Sequence, residues 1–529
     1  MRKNTTKKLL ALILTFSFIF TACNTNNNTN INNISEKNTF IYGIEADPGD
    51  NVNAITTANR LGMMVLKATY SPLFSYTELG TNWYLANDVT VSEDLRTYTF
   101  SLKEEVLWHD GEIFTADDVV FTFETMLSTP EGWANEQLTF GEEQVLVRKN
   151  GDYEVEFIFP YATPHGMELL SNIFIMPKHI YENEADITIS AHNAQMIGTG
   201  PYILEEYKEG EYISFTANPA YFDGEPQIET LVFRIISEPA TARFALQNGE
   251  IHAITAQATD IGEIQSLDGL SVCPYTEGRV VYLVFNTKHN LMQNENMRKA
   301  IMYALNRNEI NEAAYISEEY YSTIYTFLPS GNPYTTNIDV ELYEQNLDNS
   351  ITLLGTACEE ENILQEEVTL QLAYWGANVP QQRQAAVIQQ QLKDAGITIE
   401  IIALDPNALD AEMQDPESEY DMFLGGYIIG VFPGLYADMF TSSSVYNYSH
   451  IADEKLDQLF LQAAIETDAE VQYALYAEIQ QYIQELGIFY PMADNKRILV
   501  INEAIGGIED SGLVPIFTIE DFSKLYFMV

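Results

Sequence analysis

The chain has 529 residues and a formal net charge of -51, with 77 acidic against 26 basic residues. This length exceeds what one hydrophobic core usually organises, so we expect two or three lobes. The 32 tyrosines and 27 phenylalanines supply ample core material. The acidic balance excludes a protein that neutralises nucleic-acid phosphates, and it argues against electrostatic docking on anionic lipid.

The amino terminus has the pattern of an export signal. Four basic residues among the first eight precede an apolar stretch, Leu9 to Phe20. This stretch is shorter than the roughly 20 residues that a membrane-spanning helix needs, but it fits a signal peptide. Small residues before Cys23 resemble a lipoprotein signal, which predicts a signal peptide over 1–22 and a lipidated Cys23; plain secretion is the alternative. The Asn- and Thr-rich run that follows predicts a disordered tether over 23–36.

The stretch 98–124 predicts a strand, a turn and a helix. Residues 98–102 alternate apolar and polar side chains, as a half-buried strand does. Asp110-Gly111 has the composition of a turn. Thr115 and Asp118 have the spacing of a helix N-cap and a capping box, so the helix begins there.

Two short motifs next to these elements could be mistaken for sites. Trp108-His109-Asp110 combines reactive residue types, but we interpret it as a buried Trp beside a turn with a hydrogen-bonded His109. Gly198-Thr199-Gly200 is only part of a nucleotide fingerprint, and Pro201 would break the helix that a pyrophosphate needs. We therefore predict a tight crossing between lobes at this point.

The remainder of the chain alternates strands and helices. A strand at 230–236, a helix at 238–248 and a strand at 250–254 form a βαβ pattern, which indicates an α/β lobe. Later elements share this alternation, and their predicted ranges are a strand at 280–286, a helix at 297–307, a strand at 369–375, a helix at 380–395, strands at 397–402 and 420–424, mostly helix over 452–484, and short strands from 498 onward.

Several motifs, in this order, resemble a known family. They are Y-S-P-L-F at 70–74, WHDG followed by FTADDVVFTFE at 108–124, GTGPY at 198–202 and NPAYF at 218–222. The sequence resembles the family 5 extracellular solute-binding proteins, the oligopeptide- and dipeptide-binding receptors of ABC importers. The resemblance runs from about Thr39 to the end of the chain.

This resemblance implies a three-lobed α/β fold of the periplasmic-binding-protein type, class II, with a hinge and a central cleft. Lobe I would comprise 37–70, 199–276 and 505–529. Lobe II would comprise 71–198, and lobe III 277–504.

Motifs for catalysis or cofactor binding are missing from the sequence. There is no H-E-x-x-H, no G-x-S-x-G and no G-K dipeptide, so a zinc protease, an α/β-hydrolase and a P-loop are unsupported. We predict no catalytic residue, no metal and no cofactor, and we expect a protein that is not an enzyme. A secreted hydrolase with dispersed catalytic acids, and a sensor or adhesin that reuses the fold, are the alternatives.

The resemblance places ligand contacts at Glu45, Tyr282, Trp375, Tyr427, Ile428 and Ile429. Core packing is the alternative for each, least so for Glu45, because an unpaired buried carboxylate is costly. In the family's peptide receptors the last loop resembles G-W-x-x-D, and its Asp pairs with the peptide amine. Here Ile428 and Ile429 leave no carboxylate, so another acid such as Glu45 replaces it or the ligand has no free amine.

Together these features predict an extracytoplasmic binding lipoprotein, anchored to the cell membrane by its lipid and working as a monomer. Its partners would be a peptide or peptide-like solute and the permease and ATPase subunits of an ABC importer, with no nucleic acid. A metal chelate, an oligosaccharide or a hydrophobic small molecule is the alternative ligand. Cys273 and Cys358 form a disulfide or remain two free thiols.

Overall fold

The structure, a computed structural model, describes residues 38–77, 80–335, 339–428, 430 and 432–528. The predicted signal peptide, the predicted tether, Cys23 and Ile429 lie outside the described residues. We use lobe I, lobe II and lobe III as names for the residue ranges predicted above.

The strands form one large mixed sheet and several small ones. In chain order they are β1 Thr39–Ile44, β2 Phe74–Thr77, β3 Gly80–Trp83, β4 Ala86–Val91, β5 Thr97–Leu102, β6 Thr139–Phe140, β7 Glu143–Gln144, β8 Leu146–Lys149, β9 Glu154–Ile158, β10 Tyr202–Lys208, β11 Tyr212–Ala217, β12 Thr230–Ile235, β13 Ala253–Ala256, β14 Leu270–Phe285, β15 Tyr321–Thr323, β16 Thr369–Trp375, β17 Thr398–Leu404, β18 Met422–Tyr427, β19 Phe489–Asn502, β20 Ile505–Gly506, β21 Leu513–Val514, β22 Thr518–Ile519 and β23 Tyr526–Phe527.

The α-helices alternate with the strands through much of the chain. In chain order they are α1 Arg60–Thr69, α2 Ala116–Ser128, α3 Gly166–Leu170, α4 Lys178–Tyr181, α5 Pro239–Gln247, α6 Ile261–Ile264, α7 Glu295–Ala304, α8 Arg307–Tyr315, α9 Leu347–Glu361, α10 Val379–Asp394, α11 Pro406–Gln414, α12 Glu454–Ile465, α13 Ala469–Leu486 and α14 Ile508–Ser511.

The large sheet has the order β10-β11-β12-β1-β13-β19-β14-β18-β16-β17, with β15 paired to β19. β1 lies between β12 and β13 and runs parallel to both. The predicted βαβ unit therefore passes over β1 instead of joining neighbouring strands. Parallel strands joined by a helix confirm the predicted α/β character of this part of the chain.

Two long antiparallel strands, β14 and β19, run from lobe I into lobe III. On the lobe I side, residues 270–276 pair with residues 496–502. The sequence placed 496–502 in lobe III, but residues 498–501 also pair with β13, so this end of β19 belongs to the lobe I part of the sheet. The register shifts between Thr276 and Arg279. Beyond that shift, β14 pairs with β18 on its other side. Two strands thus connect the two halves of the large sheet, and β15 pairs with β19 from Asn495 onward on the lobe III side of the register shift.

Lobe II has its own four-stranded sheet, β4-β5-β9-β8, covered by α2. Phe123 of α2 packs on Phe157 of β9, with ring centroids 4.6 Å apart. The predicted capping box is confirmed, because the Thr115 backbone N–H donates to the Asp118 carboxylate at 2.9 Å while the Thr115 hydroxyl caps the first turn. The core of lobe II is continuous with the core around α1 and β1 of lobe I.

Three predicted elements differ from the structure. The strand expected at 250–254 begins at Ala253, because Gly249 adopts a φ of 70° and the Glu250 N–H bonds back to the Ala245 carbonyl at the end of α5. The range 452–484 is mostly helical as predicted, but it is divided into two helices, and the Asp468 carboxylate caps the second.

The third difference concerns β19, which the sequence analysis reduced to short strands after Ile498. The structure instead has one strand of 14 residues. Residues 489–493 are buried on both faces of the sheet, so they lack the alternation that marks a half-buried strand.

Candidate functional site

Two of the predicted ligand contacts meet on the lobe III sheet. Tyr282 of β14 is 1% exposed, and its ring lies over Gly425 of β18. The ring centroid of Tyr427 is 5.3 Å away, and the Tyr427 hydroxyl donates to the Phe327 carbonyl at 3.1 Å. The sequence placed Tyr427 in the loop after β18. In the structure Tyr427 is instead the last residue of β18. Desolvation by burial raises the pKa of both phenols above its ordinary value.

Trp375 borders the same apolar cluster as these tyrosines, and Ile428 is their neighbour in the chain. Trp375 ends β16, is half-buried, and donates its backbone N–H to the Gln381 side chain at 2.9 Å. Ile428 follows Tyr427 directly and is half-buried. Ile429, the remaining predicted contact of this segment, lies outside the described residues.

Glu45 lies apart from these side chains, at the end of β1 in lobe I. It is exposed to solvent, and its carboxylate interacts electrostatically with the Arg497 guanidinium. The predicted ligand contacts are thus divided between the end of one lobe I strand and one face of lobe III.

A buried ion cluster stands where β14 and β19 leave lobe I, and the sequence analysis missed it. Glu277 is 2% exposed; its carboxylate lies 2.5 Å from the Arg60 guanidinium and 3.5 Å from that of Arg497. Burial is the largest single influence and acts to lower the pKa of Arg497, but Glu277, two neighbouring tyrosines and Glu45 together outweigh it, so the pKa is raised. The members of this ion cluster come from three segments that are far apart in the chain, so no local sequence pattern marks them.

Lobe II touches lobe III through a ring stack that the sequence also did not reveal. The imidazole of His165, just before α3, stacks on Phe432 with ring centroids 3.1 Å apart and an 18° angle between planes. Phe432 also packs against Tyr476 of α13, whose ring is 5.3 Å from Tyr334. Burial raises the pKa of Tyr334 to about 12, and neighbouring Tyr473 and the Glu168 carboxylate add to this effect.

The junction of lobe I with lobe II has the form that the sequence predicts. Trp108 is buried, and both ring nitrogens of His109 are hydrogen-bonded. The Gly198 N–H donates to Nδ1 at 3.2 Å, so Nε2 carries the proton and donates to the Gly200 carbonyl at 3.0 Å. Burial lowers the pKa of His109 to about 4, which keeps this tautomer neutral. The predictions of a hydrogen-bonded His109 and a tight glycine crossing are confirmed.

Other features of the described residues fall outside this region. Cys273 and Cys358 are free thiols, which decides between the two alternatives left open by the sequence. A surface cavity in lobe II lies between the end of α2 and the segment after α4, and none of the predicted ligand contacts lines it. Within the described ranges, no His, Cys, Asp and Glu side chains cluster to hold a metal, and no helix is long and apolar enough to cross a membrane.

Comparisons with known proteins agree with this architecture. Residues 81–448 match the family of bacterial extracellular solute-binding proteins, family 5. The oligopeptide-binding protein AppA of Bacillus subtilis is 27% identical over 513 residues, covering 92% of each chain. The crystal structure of the ABC transporter substrate-binding protein CtaP of Listeria monocytogenes superposes with a TM-score of 0.88 at 33% identity, covering 92% of this chain and 99% of that one.

A third comparison involves a structure with a ligand. The structure of Bacillus subtilis AppA in complex with a nonapeptide matches with a TM-score of 0.75 at 26% identity, covering 93% of this chain and 99% of AppA. The large mixed sheet, the separate lobe II sheet and these matches define a periplasmic-binding-protein fold. The chain belongs to the bacterial extracellular solute-binding proteins of family 5.

Proposed function

We propose that this chain is the extracytoplasmic substrate-binding subunit of an ABC importer. It captures a peptide or peptide-like solute between lobe I and lobe III and delivers it to the permease, which the ATPase subunits drive. It works as a monomer and changes no bond of the solute. The binding proteins matched above support this role, among them AppA, whose structure contains a nonapeptide.

One structural observation carries the proposal: β14 and β19 join lobe I to lobe III as two strands with a register shift at 276–279. A connection this narrow, at an irregular point of the sheet, is suited to absorb the backbone rotation of a hinge. We infer that the chain forms three lobes close to the predicted boundaries, with residues 496–502 on the lobe I side, and that lobe III swings about this point. In the present conformation His165 touches Phe432, so we interpret it as the closed state.

The ligand would lie between Glu45 on lobe I and the aromatic face of lobe III. Tyr282, Trp375 and Tyr427 supply apolar walls, and Ile428 with Ile429 extends them. Apolar walls with a few placed polar groups are typical of sites for small ligands. An exposed carboxylate at Glu45 would face a donor group of the solute.

A titration of the purified protein tests the binding role. A dipeptide, a pentapeptide and a nonapeptide are added separately while calorimetry records heat, with an oligosaccharide and a nickel–histidine chelate as comparison ligands. We expect saturable heat with at least one peptide and none with the comparison ligands. Saturation by the oligosaccharide or chelate alone would transfer the proposal to that solute class, and no binding of any ligand would contradict it.

Anchoring by lipid is tested separately. The intact chain and a Cys23→Ala variant are expressed in a bacterium, and membrane and medium fractions are compared. We expect the intact chain in the membrane fraction, with lipid mass on Cys23, and the variant in the medium, because one cleaved signal without lipid leaves no anchor. Equal release of both proteins would support plain secretion instead.

A further inference from the structure

Three buried polar atoms converge where lobe II meets lobe III. Among the described residues, His165 Nε2, Glu168 Oε2 and the Tyr476 hydroxyl have no hydrogen-bond partner. Buried polar groups are nearly always paired in folded proteins, because an unpaired one has lost its hydrogen bonds to water without replacing them. Three such atoms from two lobes at one junction mark a place where a partner from outside the chain would be stabilising.

Glu168 is the charged member of this group. Its side chain is 15% exposed, and its one ion-pair contact among the described residues is His165 Nδ1, 3.5 Å away. Burial raises the pKa of Tyr476, and the Glu168 carboxylate adds to this effect, which shows that the negative charge reaches the tyrosines of lobe III. This carboxylate can therefore attract a cation strongly. In the described part of the chain, no lysine or arginine pairs with it.

Glu520, a carboxylate with a purely structural role, shows how this fold neutralises a buried negative charge. Glu520 is 4% exposed, and its Oε1 accepts from Lys67 at 2.9 Å, from Ser75 at 2.6 Å and from Tyr84 at 2.7 Å. A full set of donors neutralises that charge. Glu168 lacks such a set, so its burial is not explained by packing within the chain.

The group also stands beside the predicted ligand wall. His165 stacks on Phe432, which belongs to the segment that follows Tyr427 and Ile428. Phe432 packs on Tyr334 and Tyr476, and it is joined to Glu168 through His165, which contacts both the Phe432 ring and the Glu168 carboxylate. Aromatic faces near a carboxylate favour a cationic ligand group through cation–π attraction as well as ion pairing.

We propose that Glu168, with the Tyr476 hydroxyl, forms a binding subsite for an ammonium or guanidinium group of the imported solute. The cation pairs with the Glu168 carboxylate, and closure of lobe II onto lobe III removes the pair from water. The subsite makes lobe II a direct determinant of specificity for solutes with a basic group. This inference rests on the proposed import function.

The test uses the full chain and a tripeptide library that contains basic, neutral and acidic side chains in equal amounts, with every peptide acetylated at its amino end. Retained peptides are eluted and quantified by mass spectrometry. We expect the wild type to enrich Lys- and Arg-containing peptides. Glu168→Gln keeps the side-chain shape and lowers this enrichment about tenfold or more, because it removes a desolvated charge partner.

Lobe II offers a matched control. Glu184 pairs with His192 at 3.6 Å, as Glu168 pairs with His165, but this pair is at the surface of lobe II. Glu184→Gln keeps the wild-type enrichment. A second variant, Tyr476→Phe, removes only the hydroxyl and lowers the enrichment about threefold.

The outcomes separate the two proposals. If the wild type retains no peptide of this library but binds a free peptide in the calorimetric titration, the import function stands and the subsite is wrong; if it binds neither, both proposals fail. If the wild type retains peptides without preference for basic ones, the import function stands and the subsite is wrong. The same conclusion follows if the preference survives both Glu168→Gln and Tyr476→Phe while circular dichroism shows native folding of the variants.

Discussion

Lobe II meets its two neighbours in opposite ways, and a histidine stands at each junction. Towards lobe I, both ring nitrogens of His109 are bonded to the glycine crossing, and the hydrophobic core continues from one lobe into the other. Towards lobe III, one nitrogen of His165 has no partner among the described residues, and the core clusters on the two sides are separate. The first junction is therefore joined by shared core and paired polar groups, and the second is the one that the proposed hinge motion would open.

The difference follows from what each junction would lose on opening. Separating lobe II from lobe I would expose continuous apolar surface at about 25 cal/mol per Å² and leave two glycine backbone groups without partners. Separating lobe II from lobe III breaks mainly a ring stack around polar atoms that are already unsatisfied. A moving interface needs the second kind of contact, since only a small free-energy difference lets a ligand shift the equilibrium.

The largest expected effect is at the fixed junction. A Cβ on Gly198 would overlap the backbone carbonyl of Thr69, which cannot move without shifting α1. Gly198→Ala is therefore expected to lower the free energy of unfolding by at least about 3 kcal/mol, measured by urea denaturation.

The control for this variant is Gly355→Ala in α9, where an added Cβ meets nothing within 4 Å. This substitution should raise stability by roughly 0.5–1 kcal/mol, because alanine is the better helix former. If both variants had equal stability, the crossing at Gly198 would not be the constraint that we describe.

The second-largest expected effect is a change in unfolding free energy with pH. The pKa of His109 is lowered to about 4 in the folded chain, against 6.5 when unfolded, so the unfolded chain binds the extra proton first as pH falls. The stability that this group contributes is complete above pH 6.5 and is lost as pH falls towards 4, by roughly 2–3 kcal/mol.

The variant His109→Gln lacks this titration. The stability difference between wild type and variant should therefore shrink from pH 7 to pH 4 in urea denaturation at each pH. Parallel pH profiles of the unfolding free energy for wild type and His109→Gln would contradict a neutral His109 that bonds to Gly198 and Gly200.

The fixed junction was predictable from sequence because its signals are local. The capping residues Thr115 and Asp118, the buried Trp108 and the glycine pair around Thr199 each constrain their own segment, and the structure confirms each. Such signals depend on a few neighbouring residues, so no knowledge of the rest of the fold is needed.

The connection of lobe I with lobe III and the contact of lobe II with lobe III were not predictable in the same way. The strand at 489–502 has apolar residues on both faces and is recognised only once β14 lies beside it. Glu277 and its two arginines, and His165 with Phe432, come from segments far apart in the chain. Tyr282 and Tyr427 were expected near a ligand only through a family resemblance, and their role stays a prediction.

The stack between lobe II and lobe III gives a smaller expected effect. His165→Ala removes a ring pair worth about 0.5–1.5 kcal/mol, so peptide release should become about fivefold faster while the unfolding free energy hardly changes. His165→Phe keeps a ring on Phe432 and should restore slow release. Stopped-flow measurement with a fluorescent peptide records the release rate, and unchanged release from His165→Ala would show that the stack does not hold the closed state.

The smallest effect is expected within the lobe III wall itself. Tyr427→Phe keeps the ring contacts with Tyr282 and Tyr436 but removes the hydrogen bond to the Phe327 carbonyl, at a cost of about 1 kcal/mol in unfolding free energy. If that bond is the hydroxyl's whole function, peptide affinity measured by calorimetry stays unchanged. A fall in affinity larger than the fall in stability would mean that the hydroxyl leaves Phe327 for the ligand. Tyr427 would then belong with His165 among the groups whose contacts change as the lobes move.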